Sequence, residues 1–433
     1  MKKIGKMISI IFLAVLISGI ASAKEILIKN EQTGETIAEE DFLIELPKIS
    51  EQISTQTAKA VVSVVSGKKK AKVSSFNVGE TIELASEQII PWGVERVNAP
   101  AVWDKVKGRS IKVAIIDTGI DYNHPDLNVA GGVSLIDDDY MDYDGHGTAV
   151  AGVISALDNE LGVIGVAPEV ELYAVKVFTE EGAFLSDILY AIDWAIENEM
   201  DVISMSFGTS IYSQALEYKL TEAYESGILL VASAGNGEEE VVYPAKFSSV
   251  IAVGNTNENN NLYSSNYGEE LELVAPGTNI LTTYLDNGYV YISGTSFSAP
   301  HVAGILSLIL ENNSELSIPE IRIKLHKDAV DLGDLGKDIY FGYGLAQINL
   351  EEQPEQGWNS FTSEEKLDYL KERTDILFFF LEFLSSSWKK KMVCGYMEEN
   401  HLELYDSLGL SCTATYRILS SGRERVTCRC ESV

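Results

Sequence analysis

Between Ile111 and about Ile348 the chain alternates short apolar runs with longer helix-like stretches, and no other feature restricts its fold as strongly. Ile111–Ile116, Leu172–Val177, Val202–Met205, Ile228–Ala232 and Val250–Val253 read as buried strands, short and rich in β-branched residues. His146–Ala156, Ser186–Glu199, Ser213–Ser226 and Ser296–Glu311 read as helices. Strands that are apolar on both faces need cover on both faces. The repetition therefore predicts an α/β, three-layer fold with a largely parallel, twisted sheet between helices. In such sheets the functional loops gather beyond the carboxyl ends of the strands.

The flanking regions read differently. Lys2, Lys3 and Lys6 precede an apolar run from Met7 to Ile20 and then Ala21-Ser22-Ala23, the order of a secretory signal over residues 1–23. A membrane anchor is the alternative, but the run is short for a span. No later segment reaches the roughly 18 apolar residues that a spanning helix needs. Ile376–Leu384 comes nearest and contains Glu382. Residues 24–86 carry Lys68-Lys69-Lys70 and no strong periodicity, and 351–364 are polar and read as a linker. Residues 365–433 are expected to hold a helix, within Ser363–Leu384 and including Phe378-Phe379-Phe380, and then a small module with all four cysteines. In an exported chain Cys394, Cys412, Cys428 and Cys430 read as two disulfides, Cys428 and Cys430 each joining one of the other two. A four-thiolate zinc site is the alternative.

Charge narrows the partners. Over 433 residues, 65 Asp and Glu face 33 Lys and Arg, a net charge of −32 that argues against nucleic acid and favours cations or basic peptides. Between Val113 and Ile318 the only Lys or Arg residues are Lys176, Lys219 and Lys246. The bland expectation is a solvated acidic exterior. A sharper one is that the tail bearing Arg417, Arg423, Arg425 and Arg429 docks on it.

Four residues carry chemistry when taken together. Asp117 follows Val113-Ala114-Ile115-Ile116 and precedes Thr118-Gly119, so a carboxylate stands at a strand's functional end. His146 opens a helix in Asp144-Gly145-His146-Gly147-Thr148-Ala149-Val150-Ala151-Gly152. Asp142 and Asp144 lie beside it, but the spacing is not that of a zinc helix, and a base for a nucleophile fits better than a metal ligand. Ser296 precedes a long apolar helix. A serine hydroxyl is a poor nucleophile at neutral pH; an imidazole must take its proton, and a carboxylate must fix that imidazole's tautomer. His146 and Asp117 supply both. Ala232-Ser233-Ala234-Gly235-Asn236-Gly237 ends a strand with a carboxamide, and Asn236, with the Ser296 backbone N–H, suits the oxyanion formed by attack on an acyl carbon.

The order Asp, His, Asn, Ser resembles that of the subtilisin-like serine proteases. So do Asp117-Thr118-Gly119, His146-Gly147-Thr148-x-Val150-Ala151-Gly152, Ser206-Phe207-Gly208, Ala234-Gly235-Asn236 and Gly294-Thr295-Ser296-x-Ser298-Ala299-Pro300-His301-Val302-Ala303-Gly304, over about residues 87–350. The resemblance implies a serine endopeptidase acting on proteins or peptides, with Asp117, His146 and Ser296 as its triad and Asn236 as the oxyanion donor. Ser206, Phe207 and Gly208 would form one substrate wall and Ala232, Ser233 and Ala234 the other, pairing with an extended peptide. It implies structural Ca²⁺ held by Gln88, Asp126, the Asn159 side chain and the carbonyls of Leu157, Leu161 and Val163, all oxygen donors. It also implies that residues 24–86 are a pro-segment that aids folding and inhibits. Self-cleavage is expected between Leu84 and Glu87, ahead of Ile90-Pro91-Trp92-Gly93-Val94. Val242 falls at the floor of the primary pocket, where relatives often carry Gly; its methyl groups predict small or medium apolar side chains. Glu238-Glu239-Glu240, at the rim, would instead draw Lys or Arg. A monomer, secreted or in the cell envelope and without a lasting membrane anchor, is expected. The alternative is a catalytically idle fold that serves as a binding or envelope protein.

Overall fold

The computed structural model describes residues 36–44 and 88–350, apart from Glu180, together with the backbone of strands at 25–29, 77–82, 410–418 and 424–432. The expected signal peptide, the linker, the helix within Ser363–Leu384 and Cys394 lie outside the described residues. The chain divides into two compact units, Met1–Leu350 and Glu351–Val433.

Before the central region stand β1 (Glu25–Lys29), β2 (Thr36–Glu40), β3 (Leu43–Ile44) and β4 (Asn77–Ile82), with β1 and β2 forming an antiparallel pair. The central sheet then uses β5 (Lys112–Asp117), β6 (Val129–Ser134), β7 (Glu171–Lys176), β9 (Val202–Met205), β10 (Leu229–Ser233), β11 (Val250–Thr256) and β12 (Leu273–Pro276). Seven strands lie in the order β12-β11-β10-β9-β5-β7-β6, and every neighbouring pair is parallel. The short β8 (Ala183–Phe184) stands outside this sheet and pairs with β3.

Among the described residues six α-helices accompany them: α1 (Trp92–Arg96), α2 (His146–Ser155), α3 (Leu185–Glu197), α4 (Gln214–Glu225), α5 (Thr295–Asn312) and α6 (Ile318–Asp328). Alternate residues of each strand point to opposite faces, and this alternation makes two cores. Val113 and Ile115 of β5 join the core that holds α2, α5 and α6, whereas Ala114 and Ile116 join the one that holds α3 and α4. Within its layer α5 is buried on every side from Thr295 to Ile309, as a helix apolar all round requires.

The five expected strands and four expected helices all form, with no end shifted by more than three residues and Val202–Met205 unshifted. β6 escapes the sequence reading because Val129-Ala130-Gly131-Gly132-Val133-Ser134 is a half-exposed, glycine-bearing edge with no apolar run. The hairpin of β13 (Ile280–Tyr284) and β14 (Gly288–Ser293) escapes it too, although Asp286 and Asn287 both take the left-handed conformation of a tight hairpin turn. The second unit contributes β15 (Leu410–Ile418) and β16 (Glu424–Ser432), an antiparallel pair whose register sets Cys412 opposite Cys430 and Ala414 opposite Cys428.

All three lysines of the acidic stretch are engaged. Lys176 meets Asp137 at 2.8 Å, Lys219 meets Asp193 at 2.6 Å and Lys246 meets Glu240 at 2.8 Å. Among the described residues, no helix is long and apolar enough to cross a membrane.

Candidate active site

The site assembles where strands end and helices begin. β5 delivers Asp117 at its carboxyl end, α2 starts at His146 and α5 at Thr295, and the segments after β9 and β10 bring Ser206 and Asn236. His146 Nδ1 lies 2.8 Å from Asp117 Oδ1, and neither side chain is accessible to solvent. A carboxylate only accepts, so Nδ1 carries the proton and Nε2 is the basic nitrogen. Asp117 Oδ1 also accepts from the Thr118 N–H at 2.8 Å, and Thr118 Oγ1 accepts from the Gly147 N–H at 2.9 Å, tying strand to helix. Only glycine fits at 147, because a Cβ there would stand 2.0 Å from the Gly119 carbonyl oxygen. Burial disfavours a charged imidazole, but Asp117, with Asp144 and Asp142 beyond it, outweighs this and holds the His146 pKa above its ordinary value.

The loop before His146 is fixed by Asp142. Its Oδ1 accepts from the N–H groups of Asp144 and Gly145, and its Oδ2 from the N–H and hydroxyl of Thr148. This buried carboxylate is thus spent on the entry to α2, and the Asp-Tyr-Asp-Gly turn pattern is its sequence signal.

Ser296 occupies the first turn of α5 and is 3% exposed. Its hydroxyl donates to the Ser206 carbonyl at 3.2 Å, while the Ser206 hydroxyl donates to the Ser296 carbonyl at 2.8 Å, a reciprocal clasp between two loops. The neighbouring Phe297 ring packs against His146 with centroids 5.6 Å apart, which sets the first turn of α5 beside the start of α2. Asn236 Oδ1 accepts from both the N–H and the hydroxyl of Thr295 at 2.7 Å, which orients Nδ2 as the donor end of the amide. Thr295, which the sequence reading passes over, is therefore the residue that aims Asn236.

The two segments expected to flank a substrate differ in kind. Phe207 turns inward onto Phe178, their centroids 5.2 Å apart. Ala232 lies within the β9-β10-β11 ladder, the Ala234 N–H donates to Val253 O, and the Ala234 carbonyl accepts from Val242 N–H. Ser233, the last residue of β10, is 4% exposed. Val242 packs against both turns, one methyl 2.4 Å from a Cβ placed on Gly208 and 3.3 Å from one placed on Gly235.

A second constellation surrounds Gln88. Its Nε2 donates to the carbonyls of Leu157 at 2.5 Å, Leu161 at 2.9 Å and Val163 at 3.1 Å, so three oxygens converge on one point. Asp126 Oδ2 accepts from the Val163 N–H, whereas Oδ1 is buried with no hydrogen-bond partner among the described residues, and burial pushes this carboxyl up to about 7. Asn159 Oδ1 accepts from the Leu161 N–H at 2.9 Å. Turning the Gln88 amide would replace its donor end with Oε1. An orphaned carboxylate oxygen and an all-oxygen donor set suit a hard divalent cation. Among the described residues no cluster of three or more His, Cys, Asp or Glu could hold a metal, so the candidate is one built mainly from carbonyls.

The N-terminal stretch reaches the layer of α3 and α4, on the other face of the sheet from α2 and α5. Glu39 accepts from the Ser213 hydroxyl and the Ala215 N–H at the start of α4, and Asp41 accepts from the Ser186 N–H and hydroxyl at the start of α3.

The model of the subtilase family matches residues 108–344. The chain belongs to the subtilase family. Subtilisin DY of Bacillus licheniformis is 45% identical over 274 residues, 61% of this chain and 98% of that protein. The thermostable alkaline protease of Halalkalibacterium halodurans is 39% identical over 307 residues, 70% of this chain and 82% of that one. The minor extracellular protease Epr of Bacillus subtilis is 38% identical over 353 residues; they make up 76% of this chain but only 55% of that relative's length. This subtilase is thus a subtilisin-like serine endopeptidase on the three-layer α/β fold.

Proposed function

We propose that the chain is an exported, calcium-stabilised endopeptidase that works through Asp117, His146 and Ser296. The observation that carries this reading is the buried Asp117–His146 pair at 2.8 Å, packed against Phe297 in the first turn of α5, the turn that bears Ser296. Rotation about the Ser296 Cα–Cβ bond re-aims the hydroxyl from the Ser206 carbonyl to His146 Nε2, which takes the proton as Oγ attacks the scissile carbonyl. Asn236 Nδ2 and the Ser296 backbone N–H hold the oxyanion. His146 then protonates the leaving amine, and water resolves the acyl-enzyme by the same steps.

Gln88, Asp126, Leu157, Asn159, Leu161 and Val163 would hold the cation; its chemistry is structural, tying the N-terminal segment to the loop after α2. Residues 24–86 act as the inhibitory pro-segment, a role supported by the seats of Glu39 and Asp41 on α4 and α3. Self-cleavage falls between Leu84 and Glu87. Val242 restricts the primary pocket to small or medium apolar side chains. Opposed positions on β15 and β16 favour a Cys412–Cys430 disulfide, which leaves Cys394 to Cys428. The mature enzyme acts as a monomer outside the cytoplasm.

Casein hydrolysis and labelling by a serine-directed phosphonate test the reading. The wild-type chain should do both, and Ser296→Ala should do neither and should stay unprocessed. Labelling or processing of that variant would overturn the assignment.

A further inference from the structure

The cation candidate and the strand that leads to the nucleophile meet at Asp126. Two successive residues of β14 reach it by separate routes. His124 Nδ1 accepts from the Asp126 N–H at 3.1 Å, so the ring proton sits on Nε2, which donates to the Gly288 carbonyl at 3.1 Å. The Tyr289 hydroxyl donates to Asp126 Oδ2 at 3.2 Å, and the two rings meet edge to face with centroids 5.4 Å apart.

This arrangement divides the carboxylate. Oδ2 takes two donors, the Val163 N–H at 2.9 Å and the Tyr289 hydroxyl, while Oδ1 is buried and has no hydrogen-bond partner among the described residues. Tyr289 lies with Ala156, Val163 and Leu281 in a small apolar cluster apart from the two main cores. That cluster joins the loop after α2, which supplies the candidate carbonyls, to the β13-β14 hairpin. Gly162 of the same loop takes a φ of 55°, and a Cβ there would collide with both the Tyr289 hydroxyl and Asp126 Oδ2, so the loop closes directly over the phenol.

From Tyr289 the strand continues through Ser293 to Gly294, Thr295 and Ser296. Its hairpin partner β13 is fastened to α2 by hydrogen bonds from Thr282 and Thr283 to the Ala149 and Thr148 carbonyls at 2.7 and 2.8 Å. A shift of Asp126 therefore passes into the strand ahead of the nucleophile and, across the hairpin, towards the helix of the base.

We propose that Tyr289 is a positioning residue: its hydroxyl fixes the Asp126 carboxylate so that Oδ1 is offered to the cation, and through the same bond an occupied site steadies β14 ahead of Ser296. The inference rests on the calcium reading above and deepens it, since it names the residue through which the cation reaches the nucleophile's strand. Groups that hold a ligand's carboxylate in place govern metal affinity by about ten- to a hundredfold.

Calorimetric titration with Ca²⁺ tests this on the full-length Ser296→Ala chain, where self-digestion does not interfere. Tyr289→Phe keeps the ring and its packing and should weaken Ca²⁺ binding about ten- to a hundredfold, whereas Tyr291→Phe, two residues along the same strand, should leave it within about twofold. Amide exchange over Gly288–Ser293 should slow when saturating Ca²⁺ is added to the parent chain, and this slowing should be lost in Tyr289→Phe. The urea midpoints of the two chains should lie closer together in chelator than in Ca²⁺, because only the ligand-linked part of stability depends on the cation. Affinity within about twofold of the parent for Tyr289→Phe, equal slowing in both chains, or the same gap in midpoint with and without Ca²⁺ would overturn the inference and leave the calcium reading standing. A parent chain that binds no Ca²⁺ overturns that reading itself.

Discussion

Two buried imidazole–carboxylate pairs, one made through Nδ1 and the other through Nε2, share one separation and shift in opposite directions. His146 meets Asp117 at 2.8 Å in the cleft, and His326 of α6 meets Glu272, just before β12, at the same 2.8 Å. Burial pulls both imidazoles towards the neutral form. At His146 the surroundings are all acidic, Asp117, Asp144 and Asp142, and the pKa rises; at His326 burial wins and the pKa falls. The difference lies in a third partner. Arg322 grips Glu272 with two guanidinium nitrogens and, against the cost of burial, helps to hold its carboxyl down to about 2. The charge of Glu272 is already answered, and Arg322 and Lys337 repel a proton on His326, whose ring stacks on Tyr343 at 3.8 Å. An acid beside a histidine makes a base only where no cation has claimed the acid first.

Substitutions can break or sharpen this contrast. His146→Ala should lower kcat about a millionfold, a magnitude established on subtilisin itself and carried over by kinship. Loss of the carboxamide in Asn236→Ala should cost about a hundred- to thousandfold in kcat, again subtilisin's own figure. Arg322→Met strips Glu272 of its cation and should destabilise the fold by about 3–5 kcal/mol, read as a lower urea midpoint. The same change should raise the His326 pKa, visible by NMR, and a fall would refute the account of the third partner. Since the base must be neutral, kcat/KM should climb with pH through a His146 pKa above 6.5. Asp144→Asn removes one acid from its surroundings and should move that climb to lower pH. Smallest of all, His326→Gln keeps a hydrogen bond to Glu272 and should leave kcat/KM unchanged.

The sheet, its four main helices and the spacing of Asp117, His146, Asn236 and Ser296 are legible in the sequence because buried strands and glycine-flanked motifs leave local marks. What aims those side chains is less legible. Thr295 turns Asn236, Thr118 joins the Asp117 and His146 segments, and Asp142 closes the loop ahead of α2, each through hydrogen bonds to backbone or neighbours that any polar residue in a turn can make. Arg322 and Glu272 are 50 positions apart, and nothing in either neighbourhood announces that they meet. Residues 24–86 show no periodicity, yet Glu39 and Asp41 find helix starts more than a hundred residues away, because capping demands only an acceptor at the right place.

The scarcity of lysine also bears on survival. From Val113 to Ile318 only Lys176, Lys219 and Lys246 offer a bond that a trypsin-like enzyme would cut, and each ammonium is clamped by a carboxylate. Lys176 and Lys219 are sunk in the body as well. In a medium shared with such enzymes, the folded hydrolase presents an almost blank target along its working half.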